Sequence, residues 1–181
     1  MKKENKNKIN FPPGHEVVDF LFESNAIEGV HGGDAFIDAK KAWDYAMKKD
    51  TITEKEVRHI HKLLMKNVGP AIAGKFRDCD VYIGNEHKRF INEGLLTYQV
   101  NSALTAIWMS FGIIGKEGTD ETKEEIAKDC HVMFEGVHPF VDGNGRVGRI
   151  LYNWHRLQLG LPIHIIHEGK EQMEYYKWFQ K

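Results

Sequence analysis

Twelve consecutive residues, His138 to Arg149, constrain this chain more than any other stretch. They read His-Pro-Phe-Val-Asp-Gly-Asn-Gly-Arg-Val-Gly-Arg. Val147, Ile150, Leu151, Trp154 and Leu157 then recur at helical spacing, so the glycine turn is the entrance to a helix. The first N–H groups of a helix have no intrahelical acceptor, and the helix dipole adds partial positive charge there. Such an entrance binds anions, phosphate above all. Whatever the fold, it has to bring an imidazole, a carboxylate and two guanidiniums to the mouth of a helix.

The rest of the chain limits what can surround that mouth. Its 181 residues suffice for one ordinary core and are few for two. A hydrophobic content of 41% with 28% charged residues is that of a globular domain. The net charge of −1 argues against a nucleic-acid binder working by bulk electrostatics. Cys79 and Cys130 lie far apart, suiting neither a disulfide scaffold nor a zinc knuckle, and read as reduced structural thiols. Met1 to Asn10 resembles the basic part of a signal peptide, but Phe11-Pro12-Pro13-Gly14 follows instead of an apolar run. No apolar stretch is long enough to cross a bilayer. The expectation is a cytoplasmic protein with a flexible N-terminus over residues 1–14 and a single domain over 15–181.

Most of that domain reads as helix. His15 to Gly29 carries Val17, Val18, Leu21, Phe22 and Ile27, with Gly29 at the position after the helix end. Gly32-Gly33-Asp34 breaks the chain and supplies an N-cap before Phe36, Ala39, Trp43, Ala46 and Met47. Thr53 and Glu56 form a capping box for a third helix with Val57, Ile60, Leu64 and Val68, stopped by Gly69-Pro70. Phe76, Val81-Tyr82-Ile83 and Phe90-Ile91 are short β-prone pieces around Gly84-Asn85, a hairpin too small to be stable alone. Helical spacing returns over Leu95 to Phe111 with Leu96, Val100, Leu104, Ile107 and Trp108, followed by a glycine-bearing loop from Gly112 to Thr119. Glu121 to Val137 has Ile126, Cys130, Met133, Phe134 and Val137 on one face and delivers the chain to His138. The helix after the motif stops at Gly160-Leu161-Pro162, and Met173, Tyr176 and Phe179 mark a short last one. The fold class is therefore all-α, a helical bundle with one small β-hairpin.

Gly143 to Gly148 matches the G-x-G-x-x-G of dinucleotide sites, but that pattern needs a preceding strand in a βαβ unit. Here a helix and His-Pro precede it, so that reading fails, and no P-loop sequence is present. The glycines still let backbone approach an oxyanion closely. Arg146 and Arg149, three apart, share a helix face beside those amides and suit a polyphosphate. Asp142 is an oxygen ligand suited to Mg²⁺ bridging phosphates, and His138 could take a proton from an attacking hydroxyl. Each residue alone is an ordinary turn or surface residue. Together at one helix start they describe attack on a metal-bound nucleotide phosphate, driven by positioning and charge neutralisation. Other features attract blander readings. His59 and His61 do not share a helix face, His164 and His167 have no carboxylate pair nearby, and His131 reads as a packing residue. Tyr175 and Tyr176 read as packing residues near the pocket, and the four tryptophans as core or interface.

At the central stretch the sequence resembles the Fic (filamentation induced by cAMP) family, whose signature is His-x-Phe-x-Asp/Glu-Gly-Asn-Gly-Arg-x-x-Arg. His138, Phe140, Asp142, Gly143, Asn144, Gly145, Arg146 and Arg149 match every defined position. The resemblance extends from about the first helix to Pro162 and implies an all-α core with a β-hairpin flap. It implies a protein adenylyltransferase (AMPylator), moving AMP from ATP to a Ser, Thr or Tyr hydroxyl of a target protein and releasing pyrophosphate. On that pattern His138 is the general base and Asp142 holds Mg²⁺. The Gly143, Asn144 and Gly145 amides form the anion hole, and Arg146 and Arg149 bind the outer phosphates. Residues 74–91 correspond to the flap, with Val81, Tyr82 and Ile83 aligning the target segment by strand addition.

A second match is independent of the first. Ser24-Asn25-Ala26-Ile27-Glu28-Gly29 fits the family's Ser/Thr-x-x-x-Glu-Gly/Asn inhibitory motif, in the class with an N-terminal inhibitory helix, here residues 15–30. The resemblance implies that Glu28 pairs with Arg149 and displaces the γ-phosphate's partner. Other activities stay open: UMP, phosphocholine or phosphate transfer, removal of AMP, or a nucleotide-binding regulator without catalysis. Gly145 and Arg149 favour nucleotidyl transfer over the phosphate-transferring branch, and His138 and Asp142 argue against a decayed site. ATP and a hydroxyl-bearing protein are the expected partners, with self-modification and a homo-oligomer also open. Membrane and nucleic acid are not expected.

Overall fold

The first helix, α1 (Gly14–Ala26), buries Val17, Phe20 and Leu21 and turns at a glycine. Gly29 has φ +65°, its N–H bonds Ala26 O at 2.8 Å, and Val30 N–H bonds Asn25 O at 3.0 Å. Those two bonds are a Schellman stop, and Glu28 sits inside it, at a backbone position fixed by the turn. The structure is a computed structural model that describes residues 12–83, 86–114 and 118–180, without the side chains of 83, 86, 107, 108 and 110–114. The expected flexible N-terminus therefore falls mostly outside the described residues, as do the Gly84-Asn85 turn and the side chains of Ile107 and Trp108.

Among the described residues six further helices follow: α2 (Gly33–Ala46), α3 (Glu54–Leu64), α4 (Glu93–Ile114), α5 (Asp120–Val137), α6 (Asn144–Gln158) and α7 (Lys170–Tyr176), the last continuing into a 3-10 turn over Lys177–Phe179. Between α3 and α4 lies an antiparallel hairpin, β1 (Val81–Ile83) and β2 (Glu86–Lys88), pairing Val81 with Lys88 and Tyr82 with His87.

The core is arranged around α6, which is buried from Val147 to Leu157. A helix buried on all sides belongs inside its fold, and α1, α2, α3 and α5 each pack on it. Its polar residues therefore need partners. Asn153 donates to His164 O and accepts from His164 N–H, Trp154 Nε1 donates to Lys49 O, and Arg156 bonds Pro162 O and Glu124.

Three boundaries and one buried face differ from expectation. Asp34 lies in the first turn of α2 rather than capping it, because Gly32 takes the cap position. The third helix stops at Leu64, leaving Val68 exposed. Gly112 does not end α4, since one glycine in a helix interior costs only about 1 kcal/mol. In α7 the buried residue is Tyr175, with Met173 and Tyr176 outward, because Tyr175 alone reaches the core histidine His131.

Candidate active site

Two backbone features shape the loop between α5 and α6. His138 caps α5 in the left-handed region (φ 48°, ψ 63°), with its N–H on Phe134 O at 3.2 Å. Pro139 disfavours a continuing right-handed helix at the residue before it. The side chain of Asn144 then closes the loop in both directions, donating to Phe140 O and accepting from Phe140 N–H, each at 2.9 Å. Gly143 caps α6 at φ +79°, and a Cβ there would meet Met65 Sδ at 2.9 Å and His61 Nε2 at 3.3 Å. Asp142 Oδ1 accepts from Gly143 N–H at 2.6 Å, and the Asp142 side chain remains 60% exposed.

Both arginines of the motif are buried and face one another's field. Arg146 donates to Met65 Sδ at 3.1 Å and lies 3.7 Å from Asp142 Oδ2; burial pushes its pKa down. Arg149 is held on several sides. Its Nε donates to Ser24 Oγ at 3.0 Å, its Nη2 to Ser24 O at 2.8 Å, and its Nη1 to Tyr175 Oη at 3.4 Å. Nη2 also bonds Glu28 Oε1 at 2.8 Å. That carboxylate lies directly over the helix entrance: a Cβ on Gly145 would stand 2.3 Å from Glu28 Oε1. Ser24, Glu28 and Arg149 therefore form one cluster, with Gly29 supplying the turn that delivers Glu28 to it.

The electrostatics around His138 favour a neutral ring. Burial, then the nearby Arg77 guanidinium, hold its pKa down at about 4. Arg77 is buried and ties the base of the hairpin to the loop between α5 and α6. Its N–H bonds Pro139 O at 2.9 Å, its Nε donates to His138 O at 2.9 Å, and Nη1 donates to the carbonyls of Cys79 and Arg89. Above that base Val81 is buried and Tyr82 is 71% exposed, stacked on His87; the side chain of Ile83 is outside the described residues. One turn before His138, Glu135 Oε2 lies 3.9 Å from His138 Nδ1, while Oε1 is buried against Gly148 without a hydrogen-bond partner. Burial, reinforced by Glu28, pushes the Glu135 carboxyl up to about 8 against the pull of Arg149, so it is protonated at neutral pH.

The structure thus brings together His138, Asp142, Gly143, Asn144, Gly145, Arg146, Arg149, Ser24 and Glu28, with the hairpin joined to them through Arg77. Among the described residues no group of three or more His, Cys, Asp or Glu converges as a metal site. A single exposed carboxylate suits Mg²⁺ carried in on nucleotide phosphates, since Mg²⁺ keeps several waters and takes one or two carboxylates beside phosphate oxygens. From the sequence, His61 is set aside, Tyr175 reads as a packing residue near the pocket, and Glu135 is not singled out; the structure places all three against the loop or its arginine. No helix among the described residues is long and apolar enough to cross a membrane.

Comparison with known proteins gives the family and the fold. The Fic/DOC family profile matches residues 51–155. The "Protein adenylyltransferase Fic" of Aedes aegypti is 29% identical over 158 residues, covering 87% of this chain and 29% of its own length. The protein of the same name from Drosophila mojavensis is 28% identical over 159 residues, covering 88% of this chain and 29% of its own length. The chain thus spans less than a third of these curated relatives. Among solved structures, Fic-1 of C. elegans superposes with a TM-score of 0.69 at 21% identity, covering 90% of this chain and 54% of that one. A Fic domain containing signalling protein of Bacteroides thetaiotaomicron gives 0.69 at 19% identity, covering 90% and 70%. At those identities the structures show a shared fold.

Proposed function

The chain belongs to the Fic/DOC family, and from that premise we propose that it is a self-inhibited protein adenylyltransferase. The observation that carries the reading is the 2.8 Å contact between Glu28 Oε1 and Arg149 Nη2, laid over Gly145 at the entrance of α6. A carboxylate held where an anion site is built is a competitor for that site.

With Glu28 displaced, the triphosphate of ATP lies against the first amides of α6. Arg149 and Arg146 neutralise the outer phosphates, and bidentate guanidinium contacts suit that task. Asp142 would hold Mg²⁺, which supplies further neutralisation of phosphate charge. A target segment pairs along the hairpin at Val81, Tyr82 and Ile83 and presents a Ser, Thr or Tyr hydroxyl. His138, neutral because burial and Arg77 disfavour its cation, accepts the hydroxyl proton. The hydroxyl oxygen bonds the α-phosphorus, the bond from that phosphorus to the bridging oxygen breaks, and pyrophosphate leaves. The products are an AMP ester on the target and the protonated His138, which returns its proton to solvent.

The test uses Glu28→Gly protein with ATP labelled on either the α- or the γ-phosphate, incubated with cell lysate. The α label stays on protein and the γ label leaves as pyrophosphate; adding His138→Ala abolishes both. Retention of the γ label would make the enzyme a phosphotransferase, and no retained label at all would sink the transferase reading.

A further inference from the structure

His61 uses both ring nitrogens. Gly74 N–H lies 2.9 Å from Nδ1, and Asp142 O lies 2.9 Å from Nε2. A backbone N–H can only donate, so Nδ1 is the acceptor and Nε2 carries the hydrogen that Asp142 O receives. The ring is also stacked on Phe140, centroids 3.7 Å apart and planes within 3°. With Nδ1 accepting from a backbone N–H, the ring is held neutral in this one tautomer.

The bonded carbonyl belongs to a particular peptide. A trans peptide is planar, with its C=O and N–H on opposite sides. Asp142 O and Gly143 N–H are the two ends of one such unit. His61 holds the carbonyl end toward the buried interior. The N–H end therefore points outward, to the side on which the exposed Asp142 carboxylate accepts it at 2.6 Å. On the proposed reading of this loop, that is the side from which phosphate approaches the start of α6, in place of the Asp142 carboxylate. The opposite anchor of His61 is equally specific. Gly74 has φ +74°, and a Cβ there would lie 3.2 Å from Arg58 O. It stands three residues before Arg77, whose backbone N–H and guanidinium Nε bond the carbonyls of Pro139 and His138.

We propose that His61 is a positioning residue of the anion site: held from the hairpin side by Gly74, it sets the orientation of the Asp142–Gly143 peptide so that the Gly143 N–H faces bound phosphate. The base of the hairpin and the anion hole are thereby one rigid unit, joined at Asp142 through His61 and at His138 and Pro139 through Arg77. The inference rests on the reading of this loop as a nucleotide-phosphate site.

The experiment places three substitutions in the Glu28→Gly background. In His61→Gln the side-chain amide reaches the place of Nε2 and can still donate to Asp142 O. In His61→Asn it reaches only the place of Nδ1. His61→Phe keeps the stack and has no donor. Three readouts are taken with the thermal midpoint: the Gly143 resonance in protein labelled with ¹⁵N-glycine, one of 17 glycine residues, the affinity for Mg²⁺–ATP, and the rate of AMP incorporation. Removing or misaiming one anion-hole donor costs roughly 10²-fold in rate. The expected result is a loss of about that size in His61→Asn and His61→Phe, with recovery to within about 10-fold of the parent in His61→Gln. Equal activity of the three, or losses that simply follow the thermal midpoints, would overturn the assignment. If the parent binds ATP but transfers nothing, the transferase reading fails by itself. His61 is then decided by ATP affinity and by the Gly143 resonance, which must stay near the parent position in His61→Gln and move in the other two.

Discussion

Glu28 and Arg149 stand 121 residues apart in the chain and 2.8 Å apart in space. The guanidinium is buried, whereas the carboxylate side chain is 33% exposed. That asymmetry suits a switch. On the proposed reading, Arg149 keeps its bonds to Ser24 and Tyr175 when Glu28 leaves, and its charge becomes available to phosphate. Exposed ion pairs are worth up to about 1 kcal/mol, and breaking fully buried ones costs about 3–5 kcal/mol. A partly buried pair of about 2 kcal/mol corresponds to roughly a 30-fold bias toward the closed state.

A Cβ on Gly145 would meet Glu28 Oε1 at 2.3 Å and Arg149 Nη1 at 3.0 Å, so the carboxylate is the tighter of the two obstacles. In Gly145→Ala the new methyl must displace the carboxylate, and overpacking of this kind costs about 1–2 kcal/mol. In the Glu28→Gly background most of that cost disappears. A double-mutant cycle by urea denaturation should show a coupling above about 0.5 kcal/mol. Strict additivity would mean that the carboxylate does not occupy this position in solution.

Glu135 sets a pH dependence of stability. Its folded pKa of about 8 lies above the ordinary 4.5, so its stabilising contribution is complete below pH 4.5 and is lost as pH rises through 8. Glu135→Gln should therefore match the parent near pH 4 and exceed it by a growing margin in thermal midpoint up to about pH 8–9. A margin that is constant with pH would contradict the protonated, buried carboxyl. The buried histidines act in the opposite window. His61, His131, His138 and His155 have folded pKa values of about 3–4 against an ordinary 6.5, so their contribution is present above pH 6.5 and lost as pH falls toward 4.

Arg77 acts on His138 through charge as well as through the loop. Arg77→Met removes a cation that holds the His138 pKa down, so the acid limb of the rate profile should move to higher pH in the Glu28→Gly enzyme. It also leaves the carbonyls of His138, Cys79 and Arg89 short of a donor, at a cost of about 2–3 kcal/mol in stability. An unmoved acid limb would show that Arg77 serves the hairpin alone.

The loop from His138 to Arg149 was legible because its information is local. Glycine at the turn, apolar spacing after it and two arginines three apart specify a helix entrance without knowledge of the rest of the fold. The capping box of Thr53 and Glu56 and the Schellman stop at Gly29 were legible for the same reason. His61 was not. It shares no helix face with His59, and its two partners, Gly74 and Asp142, lie 13 and 81 residues away. Glu135 carried no signal in the sequence, since its raised pKa arises from burial against Gly148 and α6. The pairing of Glu28 with Arg149 could be anticipated only through resemblance, because no periodicity or spacing relates two residues that far apart. The end of α4 was misplaced because glycine stops a helix only when the chain also has somewhere else to go.

The central claim is that one carboxylate keeps a complete anion site closed. Its most direct measurement is the rate of AMP incorporation from α-labelled ATP by the wild-type protein and by Glu28→Gly, side by side, with Glu28→Gln as the variant that keeps shape and loses charge. The account predicts an increase of about 30-fold or more for Glu28→Gly and an intermediate increase for Glu28→Gln. Equal rates in all three, at undiminished thermal stability, would contradict it.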